Sequence, residues 1–496
     1  MWSQFFSHSD FAAIVPEIIV AMFGLAILLL DFAILREKRD KVWNAVYALA
    51  GLAIAGFQLV KWWGVQAAKL DPVYMGFDQR LALDPFSIFL QLIILVATGL
   101  VILLSAKYLD IEEVHLGEYY ALLLFAAVGM MFMVSGTDLI VIFIALELMA
   151  LCEYVLTGFL RGNRRSNEAA MKFFLLGAFS SGLLLYGMSL LYGISGSTRL
   201  AEIRMSLEAR PANDPISWVA MITLLAGLFF KVAAVPFHQW TPDAYEGAPT
   251  SITAFISVAP KVASFAILIR LLVVGIWPMH VAWQSLMIGV AIATMTVGNL
   301  AAITQTNIKR FFGYSTIAHV GYLLLGLVAA ADGNRDGLTA VVIYLLVYAF
   351  MNLGAFGVII LMRRKDMVGD EIDDLSGLMA RAPGYAILML IFLLSLAGIP
   401  PTAGFIGKYY IFFALIATHH YYLAVLGVAY AVVALYYYFR IVVVMFMKKA
   451  PDSVPLSSSF GLTFALATTI LMTLWIGIYP QPFIQIAREA VRPFLT

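Results

Sequence analysis

The stretch GLFFKVAAVPFHQWTPDAYEGAP, residues 227–249, places a lysine, a proline and a histidine in one of the most apolar parts of the chain. Lys231 lies among phenylalanines, alanines and valines, and Pro236 follows about one turn later. A proline inside a helix removes a backbone hydrogen bond, and at membrane depth the freed groups need water or side chains as partners. We therefore predict a broken helix with a wet pocket around Lys231.

The composition around this stretch is that of a membrane protein. Of the 496 residues, 62% are hydrophobic and only 12% are charged, whereas soluble domains have about 25% charged residues. Apolar runs such as IIVAMFGLAILLLDF, residues 18–32, are continuous. A helix needs roughly 20 such residues to cross the hydrocarbon core, and barrel strands would instead alternate in polarity. We predict an all-α polytopic membrane protein with about 14 transmembrane helices.

Two of the predicted spans are interrupted by prolines. The seventh span, within residues 216–238, contains Pro236, and the twelfth, within 383–417, contains Pro400 and Pro401. Interrupted helices at corresponding positions indicate inverted repeats, and the two lie five spans apart. We therefore predict two inverted five-helix repeats, spans 4–8 and 9–13. The expected organisation is one transmembrane domain, residues 1–496, with three N-terminal spans (1–110), a first repeat (117–275), a second repeat (281–446), and a last span with the C-terminal tail (459–496).

Short loops rich in lysine and arginine predict the orientation, because such loops face the cytoplasm. The basic loops all follow odd-numbered spans, so they share one side, and both termini are expected on the outer side. The link 194–215 also carries arginines and is a minority exception on that outer side. The loop cations that carry the prediction are Arg36, Lys38, Arg39, Lys41, Arg161, Arg164, Arg165, Lys309, Arg310, Arg363, Arg364, Lys365, Lys448 and Lys449.

Four charged residues are predicted near the middle of spans: Glu147, Lys231, Lys261 and Lys408. A central charge costs about 2.5–3.5 kcal/mol on insertion scales, so four unpaired charges would cost about 10 kcal/mol or more. Ionisable groups at this depth mark proton or ion pathways by default, and an ion pair that only fixes helix packing is the structural alternative. A lysine beside a carboxylate suits a proton switch, because movement of the carboxylate changes the affinity of the lysine for its proton. Glu147 is the nearest candidate carboxylate for Lys231.

Four further residues are weaker candidates. Lys172 lies near a span entrance, where a lysine often extends to the membrane surface. His238 falls in the same pocket region as Lys231 and is a candidate proton relay near neutral pH, although a lone histidine is more often a packing residue. His319 falls near the middle of the tenth span, as a candidate link between the two repeats. Glu153 follows Glu147 by six residues, about 120° around the helix, and is the more doubtful of the two glutamates.

Other kinds of site are not expected in this chain. Cys152 is the single cysteine, which excludes an internal disulfide and a cysteine-based cluster. No glycine-rich phosphate loop, HExxH or CxxC motif is present, so nucleotides and electrons are not expected to be held here. The net charge of +1 does not indicate binding of nucleic acid, which favours a strongly basic protein surface. Lipid and other membrane proteins are the expected partners.

Three blocks of the sequence carry a family resemblance. They are GLFFKVAAVPFHQWTPDAYEGAPTSITAFISVAPKVASF at 227–265, QTNIKRFFGYSTIAHVGYLLLGL at 305–327, and LLSLAGIPPTAGFIGKYYIF at 393–412. Together they resemble the antiporter-like subunit N family of bacterial proton-pumping NADH:quinone oxidoreductase, respiratory complex I, over nearly the whole chain. One block alone indicates only the wider superfamily, which includes Mrp-type cation/proton antiporter and membrane hydrogenase subunits. The related subunit M family is the hardest to distinguish from the N family, and LELMALCEYVL at 146–156 favours the N family by resemblance.

The resemblance implies a subunit of the membrane arm of an H⁺-translocating oxidoreductase in the bacterial inner membrane, with both termini periplasmic. Its neighbours would be other antiporter-like subunits. FMN, iron–sulfur clusters, NADH and quinone would be bound by other subunits, with no cofactor in this chain. Quinone reduction on other subunits would drive proton transfer through this chain. Glu153 is not part of the family pattern. Two alternatives stay open, an Mrp-type cation/proton antiporter subunit and a structural spacer of the membrane arm. The buried groups of the family fall on Glu147, Lys172, Lys231, Lys261 and Lys408.

Overall fold

The computed structural model describes residues 8–33, 42–68, 74–114, 116–363, 369–450, 456 and 458–494, and most of them are helical. The predicted loop cations Arg36, Lys38, Arg39, Lys41, Arg364 and Lys365 lie outside the described residues. The α-helices are α1 (His8–Ala33), α2 (Val42–Ala68), α3 (Pro85–Glu112), α4 (Gly117–Ser135), α5 (Leu139–Thr157), α6 (Arg164–Ser195), α7 (Leu200–Glu208), α8 (Pro215–Val232), α9 (Trp240–Gly247), α10 (Thr250–Arg270), α11 (His280–Thr304), α12 (Ile308–Ala331), α13 (Arg335–Met362), α14 (Leu378–Arg381), α15 (Pro383–Ala397), α16 (Ala403–Ala417), α17 (Tyr421–Met447), α18 (Phe460–Ile478) and α19 (Gln481–Val491).

Two short strands, β1 (Tyr74–Gly76) and β2 (Leu81–Leu83), form an antiparallel hairpin before α3. Tyr74 pairs with Leu83 and Gly76 pairs with Leu81. The hairpin contacts α1 and α4, so it covers one end of the N-terminal helices.

The helices agree with the predicted number of spans. Within the described residues, 13 helices are long and apolar enough to cross a membrane. Two shorter apolar helices, α15 and α16, occupy the predicted twelfth span. The predicted fold class, an all-α polytopic membrane protein, is therefore confirmed, whereas the repeat boundaries stay a prediction.

The most deeply buried helices are α10 and α13, and α12 is nearly as buried. The apolar windows of α17 and α18 are only one-third buried, and large apolar side chains such as Val425 and Phe464 are exposed on them. An apolar outer surface is expected where lipid is the solvent. The central position of α10 and α12 matters, because they carry Lys261 and His319 away from that surface.

Both predicted helix breaks are present and they share one design. Helix α8 ends at Val232, and Ala233 adopts a left-handed conformation with φ of 66° before a turn that contains Pro236. Helix α15 ends at Ala397, and Gly398 adopts a φ of 88° before Pro400 and Pro401. Left-handed residues are the usual way to end a helix, and the prolines prevent immediate resumption. The chain turns helical again in α9 and α16.

Candidate functional site

Lys231 lies in the last turn of α8, directly before the break, and is only 6% exposed. Its Nζ lies 3.4 Å from the hydroxyl of Tyr154 on α5. The break also frees the backbone of this residue. In a continuous helix the N–H of Val235 would donate to the carbonyl of Lys231, but it donates to Thr294 Oγ1 on α11 at 3.0 Å.

Lys261, on the buried helix α10, binds the carbonyl of Lys231 that the break leaves free. Its Nζ donates to the carbonyl oxygen of Lys231 at 3.2 Å. The same nitrogen lies 4.7 Å from the ring centroid of Trp240, a cation–π contact. The indole N–H of Trp240 in turn donates to the carbonyl of Phe230 at 2.9 Å. Side chains from α9 and α10 thus satisfy the terminal carbonyls of α8, which carry partial negative charge.

Lys408 repeats this arrangement at the second break. It lies on α16, is 4% exposed, and donates to the carbonyls of Leu396 and Ala397 at 3.0 and 2.9 Å. Its Nζ lies 4.9 Å from the ring centroid of Tyr322. The helix is broken, as the prolines predict, and the lysine is buried in the protein interior. No carboxylate of the described residues forms an ion pair with Lys408.

Two carboxylates on α5 approach the first lysine pair. Glu147 is partly buried and accepts a hydrogen bond from Ser181 Oγ on α6 at 2.5 Å. It is also within electrostatic range of Lys231. Glu153 is buried, and its charge acts on both Lys231 and Lys261. Within the described part of the chain neither glutamate makes a direct ion pair with either lysine, so this arrangement keeps the charges apart.

His319 lies at the centre of a hydroxyl network between the two breaks. Its Nδ1 is 2.6 Å from the hydroxyl of Tyr344 on α13, and its Nε2 is 3.2 Å from that of Tyr438 on α17. The Tyr438 hydroxyl also bonds Ser315, one turn before His319 on α12. Lys408 is close enough to act electrostatically on the imidazole. Neither tyrosine was predicted as a site residue from the sequence, although both lie in the middle of apolar runs, which is the signal that could have indicated them.

Lys172 belongs to a different group of charges, in an open cleft of about 230 Å³. It pairs with Glu168 at 3.0 Å and with Asp243 at 2.9 Å, and its side chain is 47% exposed. Arg310 binds the same Asp243 at 2.6 Å. Partial burial acts to raise the pKa of Asp243, but the bonds from Lys172 and Arg310 outweigh it and hold that pKa below its usual range. The cleft is therefore an open site in which acidic and basic side chains balance each other.

The cleft and the lysine pair meet at an aromatic stack. Phe173, the residue after Lys172, stacks on Trp240 with 4.3 Å between ring centroids, and Lys261 lies over that same Trp240 ring. His238 lies in the break just before α9 and is partly buried. No hydrogen bond among the described residues joins its imidazole to Lys231 or Lys261. The structure thus brings Lys231, Lys261 and the two glutamates together, and it places Lys172 in a neighbouring site.

The chemistry of the arrangement suits proton transfer. In the ranges that the structure describes, no group of three or more His, Cys, Asp or Glu residues could hold a metal ion. Buried ammonium groups on helix-terminal carbonyls, with carboxylates and hydroxyls nearby, offer sites where a proton is held and passed on. The fold and these buried groups define an antiporter-like membrane subunit.

Comparisons with known proteins agree with this class. The family model described as NADH:quinone oxidoreductase/Mrp antiporter, TM, matches residues 136–434. The chain is 52% identical to NADH-quinone oxidoreductase subunit N 2 of Solibacter usitatus, with 99% of each chain covered. It also resembles a chain of respiratory complex I from Thermus thermophilus at 30% identity and a TM-score of 0.78, covering 95% of this chain and 99% of that chain. A chain of the Mrp complex from Dietzia sp. matches with a TM-score of 0.80 over 97% of each chain, but at 22% identity, which shows the fold alone.

The chain therefore belongs to the NADH:quinone oxidoreductase/Mrp antiporter family, and within it to the subunit N group of NADH-quinone oxidoreductases. It is an antiporter-like, membrane-embedded subunit of the complex I membrane arm. The family prediction made from the three sequence blocks is confirmed.

Proposed function

We propose that this chain moves protons across the membrane through Lys231, Lys261 and Lys408, with energy from quinone reduction on other subunits. The observation that carries the proposal is the repeated placement of a buried ammonium group on the terminal carbonyls of a broken helix. The partial negative charge of the helix end stabilises the protonated amine. The interrupted backbone admits water, through which the amine exchanges its proton.

Glu147 is the proposed switch that loads Lys231. In this structure the carboxylate accepts a bond from Ser181 and is not in direct contact with the lysine. Movement of the carboxylate towards Lys231 favours the protonated amine, and movement away favours release of the proton. A conformational change that starts at the quinone site would therefore load and unload Lys231 without any redox group in this chain.

The released proton passes through Lys261 towards Lys408, with His319 as the link between the two repeats. An imidazole accepts a proton at one nitrogen while it donates from the other. Tyr344 and Tyr438 bind the two ring nitrogens of His319 and so define the entry and exit of this step. Lys408 then exchanges its proton with the far side of the membrane.

The cleft around Lys172 is the proposed entrance. Its exposed, alternating charges attract and exchange protons with bulk water, and the Phe173–Trp240 stack separates it from Lys261. The basic loop residues Arg164 and Arg165 lie at the same end of α6 as Lys172, which favours a cytoplasmic entrance. His238, in the adjacent break, is the proposed relay on this side. Both termini would then be periplasmic.

The remaining chemistry of the complex belongs to other subunits in this proposal. FMN, iron–sulfur clusters, NADH and quinone bind elsewhere, and this chain has no redox centre. Its partners are the neighbouring antiporter-like subunits of the membrane arm and the lipid of the bacterial inner membrane.

The test is NADH-driven proton pumping by the whole complex in vesicles. Lys231→Ala should assemble and lose pumping by about tenfold or more, since a positioned acid–base group contributes roughly 10²–10⁴-fold. Lys448→Ala, at a half-exposed lysine paired with Asp373, should pump normally. Intact pumping in Lys231→Ala would favour a structural spacer. A pH change driven by a cation gradient without NADH would favour cation/proton antiport.

A further inference from the structure

Glu153 is a buried carboxyl group that the proposed pathway does not use. It lies on α5 beside Tyr154, whose hydroxyl is near the ammonium of Lys231. The residue is 3% exposed, and its Oε1 is buried without a hydrogen-bond partner among the described residues. An unpartnered carboxylate oxygen in such a place is costly, so a hydrogen-bond donor or a bound proton must compensate for it during function.

The surroundings of Glu153 differ from those of Glu147. Glu147 is partly exposed, is bonded to Ser181, and acts on Lys231. Glu153 acts on Lys231 and on Lys261, and it is the carboxylate that acts on Lys261. Helix α5 packs against α10, which carries Lys261. Among the described residues, Glu153 is therefore the buried carboxylate that lies within electrostatic range of both members of the lysine pair.

Two more titratable groups complete this environment. The buried Tyr245 on α9 is within electrostatic range of Glu153, and so is Cys152, the preceding residue on α5. Neither group carries a charge near neutral pH at its ordinary pKa. The exchangeable charge around Glu153 therefore belongs to the two lysines.

We propose that Glu153 carries the proton between Lys231 and Lys261. In the first step the ammonium of Lys231 loses a proton and the Glu153 carboxylate gains it, which leaves a neutral amine and a neutral carboxylic acid. In the second step the acid gives that proton to the neutral amine of Lys261, which restores the carboxylate and forms an ammonium. Water admitted by the break in α8 bridges the gaps. This inference rests on the proposed function and adds a step to it.

The experiment compares Glu153→Gln and Glu153→Asp with a matched control in the intact complex. The control is Glu17→Gln, another buried glutamate, which lies on α1 and binds Gln91 at 2.7 Å. We expect Glu153→Gln to assemble and to lose NADH-driven pumping by about tenfold or more, as for removal of an acid–base group. Glu153→Asp should regain part of the rate with a displaced pH profile, and Glu17→Gln should pump normally.

The outcomes separate this inference from the proposed function. Normal pumping in Glu153→Gln, together with loss in Lys231→Ala, would overturn the role of Glu153 and leave the lysine pathway standing. Normal pumping in Lys231→Ala would overturn the pathway itself. If the complex with Glu153→Gln does not assemble, the pumping rate and pH profile of Glu153→Asp test the role of Glu153 instead. An unchanged rate and pH profile in that variant would assign the residue to helix packing alone.

Discussion

Lys261 donates a hydrogen bond from its side-chain nitrogen to the backbone carbonyl of Lys231, at 3.2 Å. This bond brings two lysines from different helices into one buried site, where their like charges oppose each other. Protonation of both amines at once is therefore unfavourable, and a proton that arrives at one favours loss from the other. The break in α8 favours this bond, because the Val235 N–H that would occupy the Lys231 carbonyl in a continuous helix donates to Thr294 instead.

Lys231→Arg should fail as a replacement even though it keeps the positive charge. Arginine stays protonated at any accessible pH and cannot pass its proton on. We expect proton pumping per NADH oxidised to fall about as far as in Lys231→Ala, with a complex that assembles. The measurement is the pH change outside vesicles that contain the purified complex. Full activity of the arginine variant would show that this position needs only a charge.

Glu147→Gln should impair pumping, because it removes the charge that controls loading of Lys231. Glu147→Asp keeps the charge with a shorter reach, so we expect an intermediate rate. Glu208→Gln is the control, since that glutamate is 51% exposed at the end of α7 and pairs with Arg204, and it should pump nearly as the unmodified protein does. If Glu147→Gln pumps normally while Glu153→Gln does not, the switching role belongs to Glu153.

Tyr438→Phe tests the link between the two repeats. The change keeps the ring and removes the hydroxyl that binds both His319 and Ser315. We expect slower pumping and a loss of stability of about 1–3 kcal/mol, the usual cost of leaving buried polar groups without a partner. Tyr409→Phe, at a tyrosine that is 49% exposed, should change neither property. An equal pumping rate in both variants would remove Tyr438 from the pathway.

Substitutions at the left-handed residues that end α8 and α15 should have opposite effects on stability. Gly398 has a φ of 88°, and a Cβ there would approach Lys408 Cδ to 2.8 Å. Gly398→Ala should therefore destabilise the protein by about 1–2 kcal/mol, the cost of a left-handed residue with a side chain, and should displace Lys408 from its carbonyls. Ala233 already has a φ of 66°, so Ala233→Gly should raise the thermal unfolding temperature of the complex. Two results would contradict this explanation of the breaks. One is a lower unfolding temperature for Ala233→Gly, and the other is an unchanged unfolding temperature for Gly398→Ala.

The sequence alone was sufficient to predict the membrane fold, both breaks and the buried lysines. These features are local, because each depends on a proline or a charge within an apolar run. Pro236 predicted the end of α8, and Pro400 and Pro401 predicted the gap between α15 and α16. The buried charges indicated proton transfer, and the family resemblance then added the expectation that quinone reduction on other subunits drives it.

The contacts between helices could not be predicted in the same way. Helical geometry places Glu153 about 120° from Glu147, but which glutamate lies within electrostatic range of both lysines depends on how α5 packs against α10. The bonds of His319 to Tyr344 and Tyr438 join α12 to the next helix, α13, and to α17, whose Tyr438 is 119 residues away in sequence. The sequence around Lys172 was equally compatible with a surface position and with an interior position. Only the folded positions of Asp243 and Glu168 identify its partners.

The most direct test of the central claim is NADH-driven proton pumping by the complex with Lys408→Met. Methionine keeps an unbranched apolar side chain in the same space, but it cannot hold a proton or bind the carbonyls of Leu396 and Ala397. With Lys448→Met as the control at an exposed position, the account predicts an assembled complex whose pumping falls by about tenfold or more, as expected for loss of a proton-transfer group. Pumping at the unmodified rate in an assembled Lys408→Met complex would contradict it.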